Sequence, residues 1–169
     1  EPIETHARFD ELLIRIAQFT HERRYEEIRN QETERTRALN FHQDRLQTLL
    51  ETMNEGFTGI DGLEMITIFN RQMEQLTGYS RKDIIGKHIY NLYAPESHDD
   101  IRRHLDSRRG GESSSYQTFM VHKDGHRVPV RISGAPLRDH NDRHIGAFAV
   151  VTDIREQVEA EAKLRGNNE

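Results

Sequence analysis

Residues 116–153 read YQTFMVHKDGHRVPVRISGAPLRDHNDRHIGAFAVVTD, and their pattern decides the fold. Tyr116–His122 is closed by Lys123-Asp124-Gly125, an Asp-Gly turn signal. Arg127–Leu137 then alternates Val128, Val130 and Ile132 against Arg127, Arg131 and Ser133, the period-two pattern of a half-buried strand. Pro129 inside that run predicts an edge position or a bulge, because proline brings no amide donor to a ladder. The polar turn Asp139–Arg143 leads into Ile145–Asp153, apolar almost throughout and so expected at the centre of a sheet. Three strands joined by short turns make that sheet antiparallel.

Upstream, Phe57–Asp61 and Glu64–Asn70 read as two more strands joined at Asp61-Gly62. Short helices are predicted at Arg71–Leu76, ended by Gly78, and at Arg81–Ile85, capped by Ser80 and ended by Gly86. A third, His98–Arg108, follows Pro95 and stops at Gly110-Gly111. From Ile154 the pattern is helical again, through Val158, Ala160, Ala162 and Leu164. The expected class is α+β, an antiparallel sheet with helices on one face.

Residues 1–54 hold no glycine, and proline only at Pro2. Phe9, Leu12, Leu13, Ile16 and Phe19 form one apolar stripe; Leu39, His42, Leu46, Leu49 and Met53 form a second, stepping 3, 4, 3, 4 as a coiled-coil seam does. The two stripes are out of phase, and Glu32 and Arg35 interrupt the second stripe's register between them, so the segment is either two helices or one helix that changes partner. The division that follows is a helical signalling segment over 1–45, a domain over 46–154 and the start of a C-terminal output helix over 155–169, the whole expected to be cut from a longer protein.

A net charge of -5 over 169 residues gives no reason to expect nucleic acid or an anionic membrane surface. With no cysteine, disulfides, thiolate metal sites and cysteinyl adducts are excluded. No run reaches the length of a membrane span and no signal-peptide pattern opens the chain, so the expected location is cytoplasmic. There is no Gly-rich phosphate loop and no Ser/His/Asp set at a recognisable turn, so the fragment itself is not expected to be an enzyme.

Five pieces in order carry a family resemblance: Leu49-Leu50-Glu51-Thr52-Met53-Asn54-Glu55-Gly56, Phe69-Asn70, Leu76-Thr77-Gly78-Tyr79-Ser80, the Lys123-Asp124-Gly125 hairpin, and Val150-Val151-Thr152-Asp153-Ile154-Arg155-Glu156. Together, over about residues 46–157, the chain resembles a PAS sensory domain of a bacterial signal-transduction protein. Arg155 stands where that family usually has Thr or Ser. The resemblance implies a five-stranded antiparallel sheet with a pocket between one face and the short helices, a long coiled-coil helix before it and a helix after it. It also implies a sensor within a multidomain protein such as a histidine kinase of a two-component system or a diguanylate cyclase, homodimeric through the N-terminal helix. Its other partners would be a small molecule and further domains of the same chain.

By strand parity and by analogy with ligand-holding PAS domains, the candidate pocket is Tyr116, Thr118 and Met120, then Val128, Val130, Ile132 and Gly134, then Ala147, Ala149 and Val151. The bland alternative is an ordinary core, making the domain a ligand-free dimerisation and relay module. The opposite parity, Phe119, Val121, Phe148 and Val150, would meet a flanking helix or a second subunit. A haem-based gas or redox sensor is the further alternative, with His98 or His104 as iron ligand. Flavin without a thiol adduct is a second possible cofactor. His140, Asp142 and His144 read as turn residues, and no metal site is expected. Asp153, Ile154 and Arg155 form the expected signalling junction, where the last strand becomes the output helix.

Overall fold

A computed structural model of the chain describes residues 2–166, with side chains for residues 11–165. Phe9, counted in the first apolar stripe, lies outside those side chains. The N-terminal segment is one helix, α1 (Pro2–Thr52). With no glycine and no interior proline, nothing in it interrupts the backbone ladder. The chain divides into two compact units, Glu1–Thr48 and Leu49–Glu169. In the first, Leu12, Leu13, Ile16, Phe19, Leu39 and Leu46 are all exposed. The seam's last member departs from the expectation: Met53 lies one residue past the end of α1 and is half-buried.

The second unit runs β1 (Gly56–Asp61), β2 (Ile66–Phe69), α2 (Arg71–Thr77), α3 (Arg81–Ile84), two 3-10 turns (Ile89–Leu92 and Pro95–Ser97), α4 (His98–Arg109), β3 (Ser114–Val121), β4 (Arg127–Arg138), β5 (His144–Asp153) and α5 (Arg155–Gly166). The five strands form one antiparallel sheet in the order β2-β1-β5-β4-β3, with β5 at its centre as its apolar run predicts. Val128, Val130, Ile132, Ala147, Ala149 and Val151 on the inner face join Ile84, Leu92, Ile101 and Leu105 of the helical segments in one buried core.

Two local expectations are corrected. The β1–β2 connection is not a two-residue Asp-Gly turn: Asp61 Oδ1 accepts hydrogen bonds from the amides of Leu63 and Met65, and Glu64 takes the left-handed conformation with φ 63°. Pro129 sits in an interior strand, between β5 and β3, not at an edge. Its carbonyl accepts from the Ile154 amide at 3.2 Å, on the side where an amide of residue 129 would also point. The β4–β5 register begins at Val130↔Asp153, so proline's missing donor falls just beyond the ladder and no strand bond is lost.

Candidate functional site

The inner sheet face and the helical segments enclose a cavity with about 20 Å³ open to the centre of a water molecule. It is lined by Thr58 and Ile60 of β1, Ile89 and Tyr93, Ile101, Leu105 and Arg108 of α4, and Tyr116, Ile132, Ala147, Phe148, Ala149 and Val151 of β3–β5. Five of the ten residues expected from parity border it: Tyr116, Ile132, Ala147, Ala149 and Val151. Met120, Val128 and Val130 are buried core beside it, and Thr118 is half-buried.

Gly134 has a different part. A β-carbon there would lie 2.1 Å from Cζ of Arg108, so the glycine is the space in which the guanidinium rests. Arg108 is 4% exposed and forms no ion pair among the described residues. Its Nη2 lies 3.5 Å from Ser114 Oγ and its Cζ is 5.8 Å from the Tyr116 ring centroid, while Nε has no hydrogen-bond partner. Thr58 Oγ1, also buried, has none either. The pairings Thr58↔Ala149, Ala149↔Gly134 and Gly134↔Ser114 set these residues in one row across four strands. Burial pushes the Tyr93 phenol well up, and burial against the opposing pull of Arg108 raises Tyr116, so both hydroxyls stay protonated at neutral pH.

Parity could find the sheet residues but not Arg108. Its signal was nevertheless present, since Ile101, Leu105 and Arg108 step by four and three along α4 and all are buried. A basic residue on an apolar helical stripe marks a buried charge.

Neither histidine proposed for haem reaches the cavity. His98 stacks on Tyr90 with centroids 4.7 Å apart, its Nε2 3.3 Å from the Tyr93 carbonyl. His104 lies face to face with Tyr116 at 3.5 Å, and burial pushes its imidazole below the usual histidine range against the pull of Asp100. Cofactor pockets run to several hundred Å³. The residues present do not fit a haem or flavin ring.

The fold also brings together three residues outside the expected sites. At the β3–β4 hairpin, His122, Asp124 and His126 place one ligand-type atom each within 4.8 Å of one another. The Asp124 carboxyl is lowered to about 2, chiefly by the His126 backbone amide, with further hydrogen bonds from both imidazoles. Its folded value lies below the ordinary 3.9 or so of an unfolded aspartate, so its contribution is complete above about pH 4 and is lost as pH falls through 2. A carboxyl NMR titration should give Asp124 a midpoint near 2; a midpoint near 4 would show that the turn does not hold it.

At the end of β5, Asp153 Oδ1 accepts from the Arg155 amide at 3.0 Å, and both carboxylate oxygens meet the Arg155 guanidinium. Burial raises the Asp153 carboxyl, but the bonds from Arg155 outweigh it and leave the group below the usual carboxylate range. Arg155 thus clamps the residue that caps its own helix. Nearby, Glu55 accepts from Thr152 Oγ1 at 2.7 Å, and Glu51, in the last turn of α1, pairs with Arg81.

Residues 54–156 match the model of the PAS domain family. Two-component system protein A of Emericella nidulans is 26% identical over 156 residues, covering 90% of this chain and 22% of the relative. The Sensor protein FixL of Bradyrhizobium diazoefficiens is 25% identical over 137 residues, 76% of this chain and 26% of that protein. The chain therefore spans about a quarter of the length of these curated relatives. Among solved structures, a PAS domain from Colwellia psychrerythraea superposes with TM-score 0.62 at 23% identity, covering 67% of this chain and 97% of that one. An RNA-binding Light-Oxygen-Voltage receptor gives 0.63 at 20% identity over 74% of this chain and 36% of its own.

Proposed function

This chain belongs to the PAS domain family, and from that premise we propose that it is the sensory module of a multidomain signalling protein, homodimeric through α1, in which a small ligand changes the packing of β5 and thereby α5. The observation that carries this reading is that one strand holds both ends of the route. Ala147, Ala149 and Val151 line the cavity, and two residues later Asp153 holds the first amide of α5. A ligand that moves the strand by a fraction of an ångström therefore acts on a helix start fixed by one carboxylate.

The test is Asp153→Ala with amide hydrogen exchange read along β5 and α5. Removing a helix-start acceptor costs about 1 kcal/mol, which is roughly fivefold in local opening. First-turn amides of α5 should exchange about fivefold faster, and a ligand that protects β5 should no longer alter α5. Unchanged α5 protection in the variant would remove Asp153 from the route.

The small cavity favours one second reading, a ligand-free relay between other domains of the parent protein. Native mass spectrometry of freshly purified protein separates the two: a bound non-covalent mass supports the sensor, and its absence with intact dimer supports the relay.

A further inference from the structure

Arg108 is a feature of the cavity that a core without a ligand does not account for. A guanidinium carries five donors and never loses its charge at accessible pH. Buried charges are normally paired with an opposite charge or with several acceptors. Arg108 has one long contact to Ser114, the ring and phenol oxygen of Tyr116, and the C-terminal end of α4, whose carbonyls favour a cation; it has no carboxylate partner among the described residues. These lessen the cost of burial, yet Nε still has no acceptor.

The floor beside it is shaped for something other than side chains. In the row Thr58–Ala149–Gly134–Ser114 the two middle residues are the smallest available. Gly134 admits the guanidinium, and Ala149 leaves the space next to it open. Strands lie about 4.8 Å apart, so Thr58 stands about two strand spacings from Gly134, at the opposite end of that space. Its hydroxyl, like Nε of Arg108, is buried without a partner. Two unpartnered polar groups of unrelated type, on different elements, thus line one small cavity.

We propose that this cavity is a binding site for a small organic carboxylate, with Arg108 receiving the carboxylate over Ala149 and Thr58 supplying a second polar anchor. A planar carboxylate matches the guanidinium edge and neutralises its charge. The phenols of Tyr93 and Tyr116, both lining the cavity, add donors and no negative charge. The apolar remainder, Ile60, Ile101 and Leu105, suits a short hydrocarbon tail. Space for little more than one or two waters restricts the ligand to short chains. This inference rests on the sensory reading and names the ligand class for it.

The test uses the whole chain and thermal denaturation with calorimetric titration, with acetate and propionate as probes, acetamide as the neutral analogue and chloride as the ionic control. Acetate or propionate should bind saturably and raise Tm, while acetamide and chloride do neither. Arg108→Met keeps the length of the side chain and removes the charge. It should weaken carboxylate binding about 10- to 100-fold, the value of a charge-assisted hydrogen bond. Thr58→Val keeps the shape and should weaken it less. If Arg108→Met fails to fold, the acetate–acetamide contrast on the unaltered chain still decides the matter. Equal shifts with acetamide or chloride, or undiminished binding in Arg108→Met, would overturn the assignment. A tightly held neutral compound in native mass spectra would overturn it too while leaving the sensory reading in place; no bound species and no response to any probe would remove both.

Discussion

Asn70→Ala should destabilise the PAS unit by about 3–5 kcal/mol and lower its Tm by roughly 10–20 °C. The side chain is 1% exposed and uses all of its hydrogen-bonding capacity that the fold can reach. Its Oδ1 accepts from the amides of Phe57 at 2.9 Å and Met73 at 3.1 Å; its Nδ2 donates to the carbonyls of Leu50 at 2.9 Å and Glu55 at 3.0 Å. Alanine removes the cap of α2, worth about 1 kcal/mol, and deprives four main-chain groups of a partner, each costing about 1–3 kcal/mol where water cannot replace it. Partial hydration keeps the sum below the maximum. Because Leu50 lies in the last turn of α1 and Phe57 is the second residue of β1, exchange of amides 49–57 should accelerate along with the loss of global stability. Urea denaturation gives the first quantity and hydrogen exchange the second. A loss under about 1 kcal/mol would mean that water substitutes for the amide, and that this residue does not hold the strand and helix starts together.

The second large effect concerns assembly. Leu46→Glu combined with Leu49→Glu should convert the proposed dimer to monomer at micromolar concentrations. Both leucines are exposed in the single chain, at 61% and 55%. Burying a leucine is worth about 1.5–3 kcal/mol, so four per dimer supply roughly 6–12 kcal/mol, and carboxylates facing one another in the seam add repulsion. The dissociation constant should rise by about four orders of magnitude or more. Thermal stability of the monomeric unit should move by no more than about 0.5 kcal/mol, as for surface substitutions elsewhere. Sedimentation equilibrium checks the mass. A double variant that stays dimeric would place the interface elsewhere, with the outer sheet face, where Phe119 and Phe148 are exposed, as the surface to alter next.

Most of the sheet was legible because alternation in β4 and the apolar run of β5 report burial directly, and burial sets both strand face and strand position. Two helix ends were legible from their caps, since Ser80 starts α3 and Gly78 ends α2 as expected, whereas Asn70, read as the end of a strand, is the cap that starts α2. Pro129 misled because the rule concerns a lost ladder bond, and none is lost where the neighbouring strand has already ended. Gly134 misled for a related reason. From sequence it reads as spare room in a pocket, whereas the space belongs to a side chain from α4, twenty-six residues earlier in the chain. Long-range occupancy of that kind is invisible to periodicity, which records only that a position faces inward. The grouping of His122, Asp124 and His126 is not legible from the hairpin's turn pattern, because that pattern reports backbone geometry and the grouping depends on which way three side chains face.

The contact between Gly134 and Arg108 also constrains how such a domain changes over generations. A methyl group at 134 would lie 2.1 Å from Cζ of Arg108 and displace the guanidinium toward the cavity beside it, whereas a shorter residue at 108 meets an empty niche. Replacement at 108 can therefore come first without a clash, whereas the reverse order first displaces the buried cation from its seat. The two positions are thus coupled in order: a side chain that has filled the niche keeps a returning arginine out of its former seat until the niche is cleared again.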